Sequence, residues 1–184
     1  MDAPKTPHSK WAPQWVILQA AGCLILTFWT HLIPPLVQAQ DDDNQAALIR
    51  LRDVAEDAMS MDDPQSAALN SGKAALMAAL MAEQETQPVL QKHWRSLEAL
   101  LRAQEQTYRA IALFQQSGEH IPASSGVCQT LTLASSQREK AQTVLPSSVS
   151  EGPLFQDLPM ELHEWKETIE ELQTDFECSK NAAG

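Results

Sequence analysis

Glycine is scarce in this chain, at six of 184 residues, and there is a single tyrosine. Aromatic residues together supply 5%. Phosphate-cradling loops need clustered glycines, and strand-rich sandwiches draw on aromatic and β-branched residues, so both architectures are disfavoured. Positive charge is also short, with 13 Lys and Arg against 24 Asp and Glu and a formal net charge of −11. A nucleic-acid partner is therefore not expected, because phosphate neutralisation takes clustered Lys and Arg. The same deficit argues against a polybasic membrane-surface protein. Only three cysteines occur, and no two are vicinal or spaced as CxxC. No apolar–polar alternation persists beyond about four residues, which leaves helical periodicity to organise the chain.

The apolar residues are unevenly placed. Residues 15–37 hold Val16, Ile17, Leu18, Leu24, Ile25, Leu26, Phe28, Trp29, Leu32, Ile33 and Leu36. Lys5 and Lys10 precede this stretch, and Asp41, Asp42 and Asp43 follow it. A basic flank, an apolar core and an acidic far side form the asymmetry of an exported N-terminus. Pro34 and Pro35 are expected to break the apolar helix, and Val37-Gln38-Ala39 offers small residues to a signal peptidase. Residues 1–39 are accordingly predicted to be a signal peptide cleaved after Ala39. The alternative is an uncleaved anchor in the inner membrane, since the apolar run approaches the roughly 20 residues that span a bilayer. Gln19 and His31 weaken that alternative. Ala20-Ala21-Gly22-Cys23 resembles a degenerate lipobox, but the apolar run after Cys23 replaces the expected polar tether. Without residues 1–39 the chain keeps 23 acids and 11 bases, a net charge of −12. The twin-arginine pattern is missing, so general export to a bacterial periplasm is the simplest expectation. Membrane contact is then expected only through the N-terminal segment, if it is retained.

Five further helices are predicted, giving an all-α fold: a helical bundle with one long central helix and a C-terminal antiparallel hairpin. The first covers about 44–60, with Asp41 to Asp43 at its N-terminus, where carboxylates favour the helix dipole, and Ala47, Leu48, Leu51, Val54, Ala55 and Ala58 as its apolar stripe. Asp62-Asp63-Pro64 ends it and starts the second, with Asp63 as N-cap and Pro64 in the first turn. The second, about 64–85, is apolar almost all round and rich in Ala and Met, with Gly72 as a weak point. A helix of that kind is central to a bundle or closes an oligomer interface. The third, 88–116, carries Leu90, Trp94, Leu97, Leu101, Gln104, Tyr108, Ile111 and Gln115 at alternating spacings of four and three. That pattern is a heptad seam which pairs with partner helices inside the chain or in another chain. Residues 119–126 read as a loop, 127–145 as the fourth helix and 146–159 as a Pro/Ser linker. The fifth, about 159–179, bears a second seam of Leu162, Trp165, Ile169, Leu172 and Phe176. These elements divide into a region at 40–118 and a hairpin region at 119–184.

The chemistry-bearing residues form no catalytic constellation, so no enzyme activity and no cofactor or metal are expected. His163-Glu164 lacks the second histidine of a zinc-protease helix, and His163 with Glu167 is best read as a solvated pair. His93 is expected at a surface or boundary position. Met59, Met61, Met77 and Met81 have spacings seen in copper ligation, but in Ala-rich company Met is ordinarily a core filler. Ser124-Ser125-Gly126 lacks the context of a nucleophile elbow.

Two cysteines remain beyond residue 39, Cys128 and Cys178. An even count in an exported protein predicts a disulfide. Cys128 lies 24 residues before Gly152 and Cys178 lies 26 after it, so an antiparallel hairpin brings both to the end away from its turn. Metal binding by this pair fills at best half a tetrahedral site.

The N-terminal export signal, the Gln/Ala-rich helix at 88–116 and the late stretch from Val127-Cys128-Gln129 to Cys178 resemble the helical periplasmic subunits of conjugative, type IV secretion-like systems. The resemblance is one of architecture, and no residue role carries over. It implies a non-enzymatic protein that works by assembly with other envelope proteins, with homo-oligomers among the possible forms. The alternative expectation is a small periplasmic binding or chaperone-like protein whose second helix lines an apolar groove.

Overall fold

The computed structural model of the chain describes residues 34–118, 126–147 and 153–178. The apolar stretch up to residue 33, most of the loop at 119–126 and the middle of the 146–159 linker lie outside the described residues. All regular structure among the described residues is helical. The helices are α1 (Pro34–Ser60), α2 (Pro64–Gln84), α3 (Pro88–Gln116), α4 (Val127–Val144), α5 (Pro153–Gln156) and α6 (Leu158–Asp175). The chain forms two compact units, Met1–Asp42 and Asp43–Gly184. Only the helical backbone of 34–42 is described in the first; the second holds everything that follows.

Helix α1 corrects the expected start at residue 44. Proline lacks an amide hydrogen, and first-turn amides have no partner within a helix, so Pro34 and Pro35 can open this helix; whatever precedes them lies outside the described residues. Asp41 to Asp43 consequently lie inside α1 and do not cap it. From Asp43 onward Leu48, Ala55 and Ala58 are buried, whereas Val54, expected on the same stripe, is exposed. At the turn into α2, Asp62 takes a left-handed backbone with φ +58°, a conformation Asp tolerates better than most residues. Asp63 then caps α2 as predicted, its Oδ1 accepting from the Ser66 amide at 3.0 Å with Pro64 in the first turn. Hydrogen bonds from the Ser66 hydroxyl and then its amide hold the Asp63 carboxyl below its ordinary value.

Helix α2 turns a face of small residues toward α3, including Ala67, Ser71, Ala74, Ala75, Ala78 and Ala82. Side-chain size sets the distance between helix axes, so this face lets the two backbones come close. Gly72 is part of that approach. A Cβ there would meet the Glu105 carboxylate carbon at 3.0 Å, so any larger residue must displace that carboxylate by a few tenths of an ångström, and glycine, though a weak helix former, avoids the conflict.

The long helix α3 packs against α2, α4 and α6. Its bounds are those its periodicity predicts. Opposite α4 the contact is again small: Ser96 Oγ donates to the Ala141 carbonyl at 2.8 Å, and Ala103 packs with Ala134 and Ile169. Helix α4 starts after Gly126, whose φ of +74° suits glycine, and runs antiparallel to α6. Arg138 Nε donates to the Leu162 carbonyl at 2.9 Å, and the cysteines meet at the other end. The 146–159 segment is more than a linker. Its described part includes α5, which buries Phe155, and the start of α6, which buries Leu158. Phe155 lies edge-on to Trp94, ring centroids 4.7 Å apart, and 5.2 Å from the His93 ring.

Candidate interaction surfaces

The α3 seam residues point into the chain itself. Trp94, Leu97 and Leu101 are buried in the main core with Leu48, Ala75, Ala78, Leu158 and Leu162, and Leu90 packs at its margin. Tyr108 is buried with Ala58, Ala67 and Ala68, with Ile111 half-buried beside it. Trp165 of α6 stands edge-on to Tyr108 at a centroid separation of 5.6 Å. Burial first, then the negative charge of Glu56, pushes the Tyr108 hydroxyl up to about 12. The first- and last-seam positions thus differ: the middle of the seam is fully covered, and Gln115 at its end is exposed and donates to Asp62 Oδ1 at 2.8 Å.

A buried carboxylate lies on α3 beneath α2. Glu105 is 5% exposed and accepts from Arg102 Nη1 at 2.8 Å and Arg109 Nη2 at 2.5 Å. Both partners come from α3, three and four residues away, so the helix neutralises its own buried charge. Ser71 Oγ is buried close by in sequence to Gly72 and has no hydrogen-bond partner. His93 is buried, contrary to the expected surface position. Its Nδ1–H donates to the Val89 carbonyl at 2.9 Å and its ring packs on Phe155, which closes it off from solvent. Helix α1 is tied across the unit by Arg52 Nη2, which donates to Glu161 Oε2 of α6 at 2.7 Å.

Cys128, in the first turn of α4, is bonded to Cys178, just beyond α6, with their Cα atoms 5.2 Å apart. Val127, Leu131 and Phe176 form a small core beside the bridge, and Phe176 stacks on Phe114 of α3 at 4.4 Å. The bridge and this core tie the hairpin end to the C-terminal end of the long helix.

Two surfaces stand open. The first is a groove of about 520 Å³ between α2, α3 and the start of α4. Ala68, Leu69, Ala112 and Leu113 line its apolar wall, and Gln65, Gln106, Arg109 and Thr130 supply polar groups. The second is the outer face of α2. Leu69, Leu76 and Leu80 are 59%, 55% and 56% exposed, and their spacings of seven and four put them on one stripe. Helix α2 therefore divides: alanine turns inward and leucine outward. Composition marks this helix as apolar all round, but it cannot say which residues stay uncovered. The inverted order, with the larger side chains outside, is what periodicity alone misses.

The chemistry-bearing candidates stay apart. His163 and Glu167 are 3.4 Å apart on the exposed side of α6. Met77 and Met81 share the main core, Met59 packs on a second cluster and Met61 is exposed at the α1–α2 turn, so the four methionines do not gather at one place. Among the described residues no three His, Cys, Asp or Glu side chains gather as a metal site, and no helix is long and apolar enough to cross a membrane. No protein family model, characterised protein or solved structure matches the chain.

Proposed function

We propose that this is a non-enzymatic, exported helical protein of the bacterial envelope that works through protein–protein interaction, as a periplasmic component of a conjugative or type IV secretion-like apparatus. The observation that carries the interaction reading is the free leucine face of α2, because a stripe of three large apolar side chains on one helix is expensive to leave in water. The Cys128–Cys178 bridge supports an oxidising compartment, where such bonds persist. Residues 1–39 act as the cleaved export signal in this reading. A small binding or chaperone-like protein is the second reading, favoured by the groove between α2, α3 and α4.

N-terminal sequencing of the protein from the periplasmic fraction tests export: the expected start is at or next to Gln40. Full-length protein found only in membranes would overturn cleavage and favour the anchor. Cross-linking of intact envelopes followed by pull-down separates the two readings. Discrete partners in fixed ratio support assembly, and a spread of unfolded clients supports the binding protein.

A further inference from the structure

We propose that the outer face of α2 is a self-association surface that pairs two copies of this chain through antiparallel α2 helices. This deepens the interaction reading above by naming the partner as a second copy.

The argument begins with the order of residues on the stripe. Leu69, Lys73, Leu76, Leu80 and Glu83 follow one another at spacings of four, three, four and three. That is a heptad seam, and it is separate from the covered seam of α3. All five side chains are solvent-exposed. Lys73 and Glu83 are the only charged residues of α2, so the helix is neutral within a chain of net charge −11. Acidic residues gather instead on α1 and α6, which makes α2 the face where two such chains approach with least repulsion.

Direction follows from the two charges. In a parallel pair each seam residue meets its own copy, so Lys73 would face Lys73 and Glu83 would face Glu83. In an antiparallel pair with its two-fold axis level with residue 78, Leu76 shares a layer with Leu80 of the second copy. Lys73 then shares a layer with Glu83 of that copy, twice, by symmetry. Among the described residues Lys73 has no carboxylate partner. Glu83 has a long 3.8 Å approach to Arg95, and its side chain is 64% exposed, which leaves it open to a second cation. The antiparallel register therefore covers Leu76 and Leu80 and pairs the unpartnered lysine in one arrangement, with Leu69 at the margin of the pair, and the parallel one repels at both charges.

The test uses the chain produced from its full sequence and purified in mild detergent, with sedimentation as the readout. The unmodified chain is expected to be dimeric at tens of micromolar, a range on the order of ordinary transient association. Lys73→Glu should weaken the dimer by about tenfold or more, because like charges then meet in two layers. Adding Glu83→Lys to that variant should restore it. Both positions are exposed, and circular dichroism should show unchanged helix in each variant. A second measurement reads the register directly, at the cost of one leucine in each chain: a chain with Leu76→Cys mixed with a differently tagged chain with Leu80→Cys should form a mixed crosslinked dimer far faster than either alone. A monomeric unmodified chain, a dimer indifferent to both charge changes, or no preference for the mixed crosslink would overturn the proposal. Each of those results leaves the recovery of envelope partners by pull-down untouched, so the two readings fail separately.

Discussion

Ser71 and Gly72 stand side by side where α2 meets α3, and each makes a prediction from a single atom. The Ser71 hydroxyl is buried without a partner, which costs part of its lost hydration. Ser71→Ala removes that atom and improves helix propensity, so it should stabilise the fold by about 1 kcal/mol in urea unfolding. Gly72→Leu should act in the opposite direction. Its side chain would enter space held by the Glu105 carboxylate, which two arginines fix in place, and overpacking of this kind costs roughly 1–3 kcal/mol. Tyr108 gives a pH dependence. Its hydroxyl ionises at about 12 in the folded chain and near 10 when unfolded, so the folded state holds the proton more tightly. The corresponding stability is complete below about pH 10 and is lost as pH rises through about 12, up to roughly 3 kcal/mol. Tyr108→Phe should remove this alkaline loss, as followed by denaturant midpoints across that window.

At the scale of elements, α3 is the helix on which the others depend, since α2, α4 and α6 all pack on it. Ala103 lies at its middle, fully buried against Ala134 and Ile169. Ala103→Pro should cost about 3 kcal/mol or more, because proline removes a helix hydrogen bond and its ring clashes with the preceding turn. Loss of helical circular dichroism should extend beyond α3, as the small-residue contacts to α2 and α4 lose their facing backbone. The periodicity of α3, the proline at its first turn and the Ser-Gly pair after it were all legible in the sequence, and the observed bounds agree. The start of α1 was not. Tandem prolines can interrupt one helix and also open the first turn of the next, and local pattern alone does not assign the second role. The short helix α5 was also hidden, because three prolines and three serines outweigh the one Leu-Phe pair that anchors it.

For the whole molecule, the Cys128–Cys178 bridge closes a loop of about 50 residues that includes Pro146, Pro153 and Pro159. The chain-entropy estimate puts its contribution at roughly 4 kcal/mol. Reduction should lower the urea midpoint accordingly and release α6 first, since its contacts with α4 and α3 are fewer than those between α3 and its other neighbours. Peptide mapping under non-reducing conditions should recover the two cysteines as one intramolecular crosslink. Two free thiols at these positions in protein from an oxidising compartment would contradict the bond.

The helical class, the bounds of α3, the Asp63 cap and the cysteine pairing were determined by local pattern, because heptad spacing, capping chemistry and the position of two cysteines about one turn are properties of the chain alone. Which face of α2 is covered, what lies against Gly72, where His93 lies and how Phe155 enters the core were decided only by the tertiary structure. The physical reason is one of reach: the leucines are larger and more apolar than the alanines they share a helix with, yet the close approach of α3, possible only against the smaller residues, buries the alanine face and leaves the leucines open beside Lys73 and Glu83.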